Sequence, residues 1–309
     1  MKRYRFWGFA FLIFMCLAFS WAFQHKNETI LVSKTEIKLE SSKVWATISE
    51  NNQLSSKYEY LKNLTFFKIT YKSDNRLING LLIEPNLDGV FPAIIFNRGG
   101  NRDFAPLTIQ TLINYTGKVA ASGFVVIASN YRADEEFGGQ DINDVLNLFD
   151  VLEETPKAKA NCVGMFGWSR GGIMTYLALA KTNKIKTAVV GNGPSDLLEV
   201  ANTRPVLETR VLAECIPNYW ENKEEKLKKR SAIYWPEKLS KNSSLLILSG
   251  LNDNRQNPLQ AKKMAQKLDS LNYNFKIMEV ETDHFFSDQK PLLEQTLVDW
   301  FAKNLSNCN

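Results

Sequence analysis

The sequence predicts an α/β protein built on one mostly parallel, eight-stranded sheet with helices on both faces. Two observations carry this. Short apolar runs recur at 66–72, 78–85, 92–97, 125–130, 162–166, 187–191, 245–250 and 275–280. Several, such as "AIIF" and "LLIL", are apolar at every position, as strands covered on both faces are. Between the later runs, helical apolar spacing appears at about 106–122, 141–153, 171–182, 258–271 and 290–304, and strands alternating with helices form parallel sheets. The first two runs flank "SDNR" and read as a hairpin. Residues 194–240 interrupt the alternation and predict an insertion after the sixth strand, over the C-terminal edge of the sheet, where open α/β folds bind ligands.

The chain has 309 residues, of which 44% are hydrophobic and 23% charged, an ordinary globular composition. Its formal charge of +5 includes Lys2, Arg3 and Arg5, and without them only +2 remains. That is too little to suggest nucleic acid as a partner, and no basic patch is interleaved with aromatic residues. After the basic start, no charge occurs from Phe6 to Phe23, and Ser20-Trp21-Ala22 offers a small-x-small cleavage site. Residues 1–23 therefore read as a signal peptide or an N-terminal membrane anchor. Either predicts an exported domain: periplasmic or extracellular if the segment is cleaved, otherwise anchored with the domain outside the cytoplasm. Residues 24–64, rich in Ser, Lys, Glu and Asn, read as a spacer with at most a short helix near 54–64. The folded domain is expected at 65–305. Cys162, Cys215 and Cys308 leave room for one disulfide and a free thiol, but their spacing fixes no pairing.

"GMFGWSRGGIM", residues 164–174, places Ser169 in a G-x-S-x-G pattern. That pattern arises by chance in about one chain of this length in ten, so its context decides. The apolar strand "CVGMF" leads in and "GGIMTYLALA" leads out as a helix, which is the strand–turn–helix setting of a nucleophile elbow. Gly167 and Gly171 stand where a side chain would collide with neighbouring backbone in so tight a turn. A serine hydroxyl needs a base. The chain has two histidines, and His25 lies before the domain, which leaves His284. In the order Ser, Asp/Glu, His, the acid falls to Asp253 in the loop after "LLILSG". Asp283 is the rival, but adjacent residues on an extended loop point apart. Two oxyanion donors are expected: the backbone N–H of Arg170, after the nucleophile, and that of Gly100 in "FNRGGNRD", after the third strand. Trp168, Trp220 and Tyr234 are candidate pocket walls, since large rings suit that use.

The motifs "RGGN", "NYRADEEFGGQD", "GMFGWSRGG", "LLILSGLNDNRQNP" and "TDHFF" resemble, in order, those of the prolyl oligopeptidase-type (S9) catalytic domain of the α/β-hydrolase fold, over about residues 65–305. The resemblance implies a serine hydrolase with Ser169, Asp253 and His284 as its triad, acting on peptide bonds through an acyl-enzyme. Three departures accompany it, one being that no Glu pair stands out to capture a substrate amine. Well-known peptidases of the family carry a β-propeller ahead of this domain, for which this sequence leaves no room, and "NRGG" stands where many relatives have "HGG". Hydrolysis of small esters by the same triad is the alternative, and a catalytically idle binding protein is a third reading. The expected partner is a small peptide or ester. No cofactor is expected: "GNGPSD" lacks the third glycine of a dinucleotide fingerprint, and one histidine with scattered cysteines makes no metal site.

Overall fold

The computed structural model describes residues 29–306 and 308; the expected signal or anchor, residues 1–23, lies outside them. Leu31–Asn309 forms one compact unit. Among the described residues no helix is long and apolar enough to cross a membrane.

Among the described residues the main sheet has nine strands: β1 Leu31–Ile37, β2 Leu64–Ser73, β3 Arg76–Pro85, β4 Phe91–Asn97, β5 Val125–Ser129, β6 Ala158–Trp168, β7 Ile185–Gly191, β8 Ser244–Gly250 and β9 Phe275–Val280. Their order in space is β1-β2-β3-β5-β4-β6-β7-β8-β9. The first three strands and the β3–β5 pair run antiparallel, and every pair from β5 through β4 to β9 is parallel. All eight expected strands are present. The ninth, β1, lies in the stretch expected to be a spacer, which is thereby corrected. "LVSKTEI" has no apolar alternation because β1 is an edge strand. Its backbone pairs with β2, Lys34 Nζ meets Glu84 at 2.6 Å, and it contributes almost nothing to the core. The rest of the stretch also packs on the domain: Leu39, Val44, Ile48 and Leu61 are buried in its core, and the expected short helix is a 3-10 run, Ser56–Asn63.

The longer helices are α1 Ile109–Ala121, α2 Ile142–Leu146, α3 Leu148–Glu153, α4 Arg170–Lys181, α5 Leu197–Thr203, α6 Lys223–Lys229, α7 Leu259–Ser270 and α8 Lys290–Leu305. Thr108 caps α1 by accepting from Thr111 N–H at 3.1 Å, and Asp196 caps α5 by accepting from Leu198 and Glu199 at 2.9 and 3.1 Å. Every residue of β5 and of β8 is buried, as expected where helices cover both faces of a parallel sheet. The parallel order brings the C-terminal ends of β4 to β9 to one edge, and the loops that leave this edge carry the candidate site.

Cys162 in β6 is joined to Cys308 beyond α8, with Cα atoms 5.5 Å apart, and Cys215 is a buried free thiol. The bridge closes a loop with a sequence separation of 146 residues, so in the chain-entropy account it restricts the unfolded state strongly. Cys308→Ser should therefore lower stability by about 2–4 kcal/mol. Urea denaturation checks this; a midpoint unchanged from that of the oxidised wild type would contradict it.

Candidate active site

Ser169 sits between the end of β6 and the start of α4 with φ 54° and ψ −122°, a conformation that costs a non-glycine residue about 1–3 kcal/mol. The neighbouring glycines explain how the turn closes. A Cβ at Gly171 would overlap the carbonyl of Asn97, and one at Gly167 the carbonyl of Gly171. The turn is held from outside by Ser169 N–H, which donates to Gly191 O on β7 at 2.8 Å. It leaves Ser169 at the N-terminus of α4, where backbone N–H groups and the helix dipole favour negative charge.

Asp253 follows β8 and His284 follows β9. His284 Nδ1 lies 2.6 Å from Asp253 Oδ2, with side chains 5% and 1% exposed respectively. The other carboxylate oxygen, Oδ1, accepts from the N–H groups of Arg255 and Gln256 at 2.7 and 2.9 Å. The acid is thus fixed before it meets the ring. The rival, Asp283, is otherwise engaged: it accepts from Phe285 N–H, Ser287 N–H and Ser287 Oγ at 2.8–2.9 Å. Those bonds hold its carboxyl below the usual range, the Ser287 N–H being the largest cause, and they shape the loop that carries His284. Asn192 ties this region together. Its Nδ2 donates to His284 O at 2.9 Å, and its Oδ1 accepts from Gly250 N–H at 2.8 Å. The sequence reading saw this residue only as part of a broken dinucleotide fingerprint.

Ser169 and His284 line one open cleft of about 630 Å³ together with Gly99, Gly100, Trp168 and Arg170. The loop after β4 lies against the serine: a Cβ on Gly99 would come within 3.3 Å of Ser169 Cβ. Among the described residues no hydrogen bond occupies the backbone N–H of Gly100 or Arg170. Both are free to serve an oxyanion. Gly100 has φ 70°, which glycine adopts without strain.

The insertion reaches the cleft through Pro194, Leu197, Val200, Arg204, Leu207 and Val211. Trp220 and Tyr234 do not line it, which corrects their expected place as pocket walls. Trp220 is 65% exposed on a 3-10 turn, with its ring edge-on to Tyr219. Tyr234 lies beside a separate surface depression with Trp235, its hydroxyl 3.2 Å from Asp196. Trp168 does line the cleft, its ring 5.0 Å from Tyr115 and 5.6 Å from Phe286.

The sequence profile of the prolyl oligopeptidase family matches residues 114–308. The chain belongs to this family. Its matched part runs from within α1 to the C-terminal cysteine and includes the elbow, Asp253 and His284. An uncharacterized peptidase of Bacillus subtilis, YtmA, is 31% identical over 144 residues, covering 44% of this chain and 54% of that protein. A second from the same organism, YuxL, is 25% identical over 207 residues, covering 62% of this chain and 31% of its own. The chain thus spans about half the length, or less, of these curated relatives. Among solved structures, the acylaminoacyl peptidase of Pyrococcus horikoshii superposes with a TM-score of 0.68 at 22% identity, over 82% of this chain and 44% of that one. A puromycin-hydrolyzing peptidase of Mycobacterium tuberculosis gives 0.63 at 20% identity, over 77% and 39%. These likenesses establish the α/β-hydrolase fold.

The family-like stretch Asn130–Asp141 has a structural role that the sequence did not disclose. Glu135 pairs with both Arg98 and Arg170, and Arg170 also meets Asp141 at 2.6 Å. None of the four side chains is more than 2% exposed. Glu135 Oε2 accepts from Arg102 N–H at 3.0 Å, and the two guanidinium groups donate to Gly99 O at 3.0 Å and Gly100 O at 3.2 Å. The Tyr131 ring contacts both arginines, with centroids 4.8 and 4.9 Å away. Burial alone would push the Arg170 guanidinium toward losing its proton, but Asp141 and Glu135 reverse this and raise its pKa. Two positive and two negative charges cancel, so the cluster can stay dry. Removing one partner of such a group leaves a buried charge uncompensated, at a cost of about 3–5 kcal/mol. Glu135→Gln should lose stability on that scale and slow covalent modification of Ser169, because the Gly99–Gly100 loop loses its tether. Urea denaturation with parallel labelling checks both effects; a variant with wild-type midpoint and labelling rate would contradict them.

Proposed function

We propose that this protein is an exported serine hydrolase that cleaves small peptide-like amides through an acyl-enzyme. The observation that carries the reading is the buried 2.6 Å His284–Asp253 contact, in a site whose cleft also holds Ser169 on its strained elbow. In this mechanism Ser169 Oγ attacks the substrate carbonyl carbon and its proton passes to His284 Nε2. Asp253 holds the Nδ1–H and stabilises the imidazolium. The oxyanion takes the free N–H groups of Gly100 and Arg170. On collapse, His284 returns the proton to the leaving nitrogen, and a water repeats the sequence to release the acid.

Membership of the prolyl oligopeptidase family favours amide substrates, and the solved neighbours are named for peptidase activities. A second reading, hydrolysis of small esters, is favoured by the cleft itself. Among the described residues its lining contains no Asp or Glu side chain to hold a free substrate amine, and the same elbow serves either leaving group. Export is supported by the basic-then-apolar residues 1–23, read as signal or anchor, and by the Cys162–Cys308 bridge, since disulfides persist in oxidising compartments. The catalytic domain then runs from Leu31, including β1, rather than from residue 65.

Ser169→Ala should abolish labelling by a fluorophosphonate and all turnover while remaining folded; a variant that still labels would remove the nucleophile assignment. Asp253→Asn should cost on the order of 10⁴-fold in kcat by the tautomer argument, and Asp283→Asn far less. Side-by-side kinetics on one p-nitrophenyl ester decide this, and the reverse ranking would transfer the acid role to Asp283.

A further inference from the structure

The cleft is one-sided in its charge. Arg170 lines it but is neutralised by Glu135 and Asp141. The other charged groups in its wall, His284 aside, are Arg204, on the insertion, and Arg255, on the loop after β8. Arg204 Nη1 donates to the backbone carbonyl of Arg255 at 2.6 Å, which ties the Arg204 side chain to the loop that carries Arg255. Arg255 lies over the Phe285 ring at 4.9 Å. Both are exposed, and among the described residues neither guanidinium meets a carboxylate. The nearby acid, Asp253, is 1% exposed and committed to His284.

A second observation points the same way. Gln256, also in the cleft wall, is 8% exposed, and its Nε2 is buried with no hydrogen-bond partner among the described residues. Trp168 Nε1 is in the same condition. A buried donor left unmade costs free energy unless a ligand supplies the acceptor. This wall thus carries two arginines without a carboxylate partner and two buried donors without an acceptor, beside the apolar Leu197, Val200, Leu207 and Val211.

We propose that the cleft selects substrates bearing a carboxylate, held by Arg204 and Arg255, with an apolar portion against the insertion. This rests on the hydrolase reading above and names its substrate class. A planar guanidinium matches a carboxylate in a way a lysine would not. The carboxylate can lie on the acyl side, as in an N-succinyl group, or on the leaving side, as a free C-terminus.

The test is kcat/KM on matched small substrates: N-succinyl against N-acetyl anilides for the acyl side, and free-acid against amide C-termini for the leaving side. In one of these pairs the anionic member should be preferred about tenfold, the scale of one charge-assisted hydrogen bond, and the preference should shrink as salt rises. The pair that shows it identifies the side. Arg204→Gln should cut the ratio, and Arg204→Glu should turn it toward a cationic analogue, a gain that a folding defect would not mimic. Turnover without charge preference in either pair, or a preference unmoved by Arg204→Glu, would overturn the proposal and leave the hydrolase reading standing. No turnover of any member, together with no phosphonate labelling, would overturn both.

Discussion

The buried Arg98–Glu135–Arg170–Asp141 cluster is the constraint on which the site depends. The loops after β5, β4 and β6 leave three neighbouring strands at the same edge of the sheet. Sheet hydrogen bonds end before these loops begin, so the ladder cannot fix their mutual geometry. The cluster does. Arg98 comes from the loop after β4, Glu135 and Asp141 from the segment after β5, and Arg170 from the elbow after β6. Guanidinium groups suit this task because each offers several donors in a rigid plane. They spend some on carboxylates and others on the carbonyls of Gly99 and Gly100. The loop that faces Ser169 is thereby set by charges that solvent does not reach.

A second, neutral clamp serves the other half of the edge. Asn192, after β7, bonds to the backbone of Gly250 at the end of β8 and of His284 after β9. Asp253 then closes on the imidazole. Six adjacent strand ends are thus organised by two local networks, and Ser169 N–H to Gly191 O joins one half to the other. This division has an electrostatic logic. The ionic cluster is internally compensated, so it can hold the backbone without leaving a net buried charge beside the cleft.

Much of this was legible in the sequence because periodicity and punctuation are local signals. The eight apolar strands, the elbow and the order Ser169, Asp253, His284 all follow from runs of residues and the turns between them. What escaped depends on partners distant in sequence. Strand β1 is held by backbone pairing at an edge, which leaves no apolar pattern. Glu135 and Asp141 carry no local sign of burial, since only the fold shows the buried arginines they meet. Trp220 and Tyr234 were read as pocket walls from ring size alone, yet the insertion turns them outward and presents Leu197, Val200 and Arg204 instead. The Cys162–Cys308 pairing was beyond reach for the same reason: spacing says nothing about which chain ends meet.

The account makes Ser169 the atom on which both clamps converge, and covalent chemistry reports that directly. The decisive measurement is pre-steady-state turnover of a p-nitrophenyl ester, followed by peptide mapping of the trapped protein. The account predicts a burst of about one nitrophenolate per chain, as acyl-enzyme chemistry gives, with the acyl group on the peptide carrying Ser169. Turnover with no burst and no adduct, or an adduct mapped to any other residue, would contradict it.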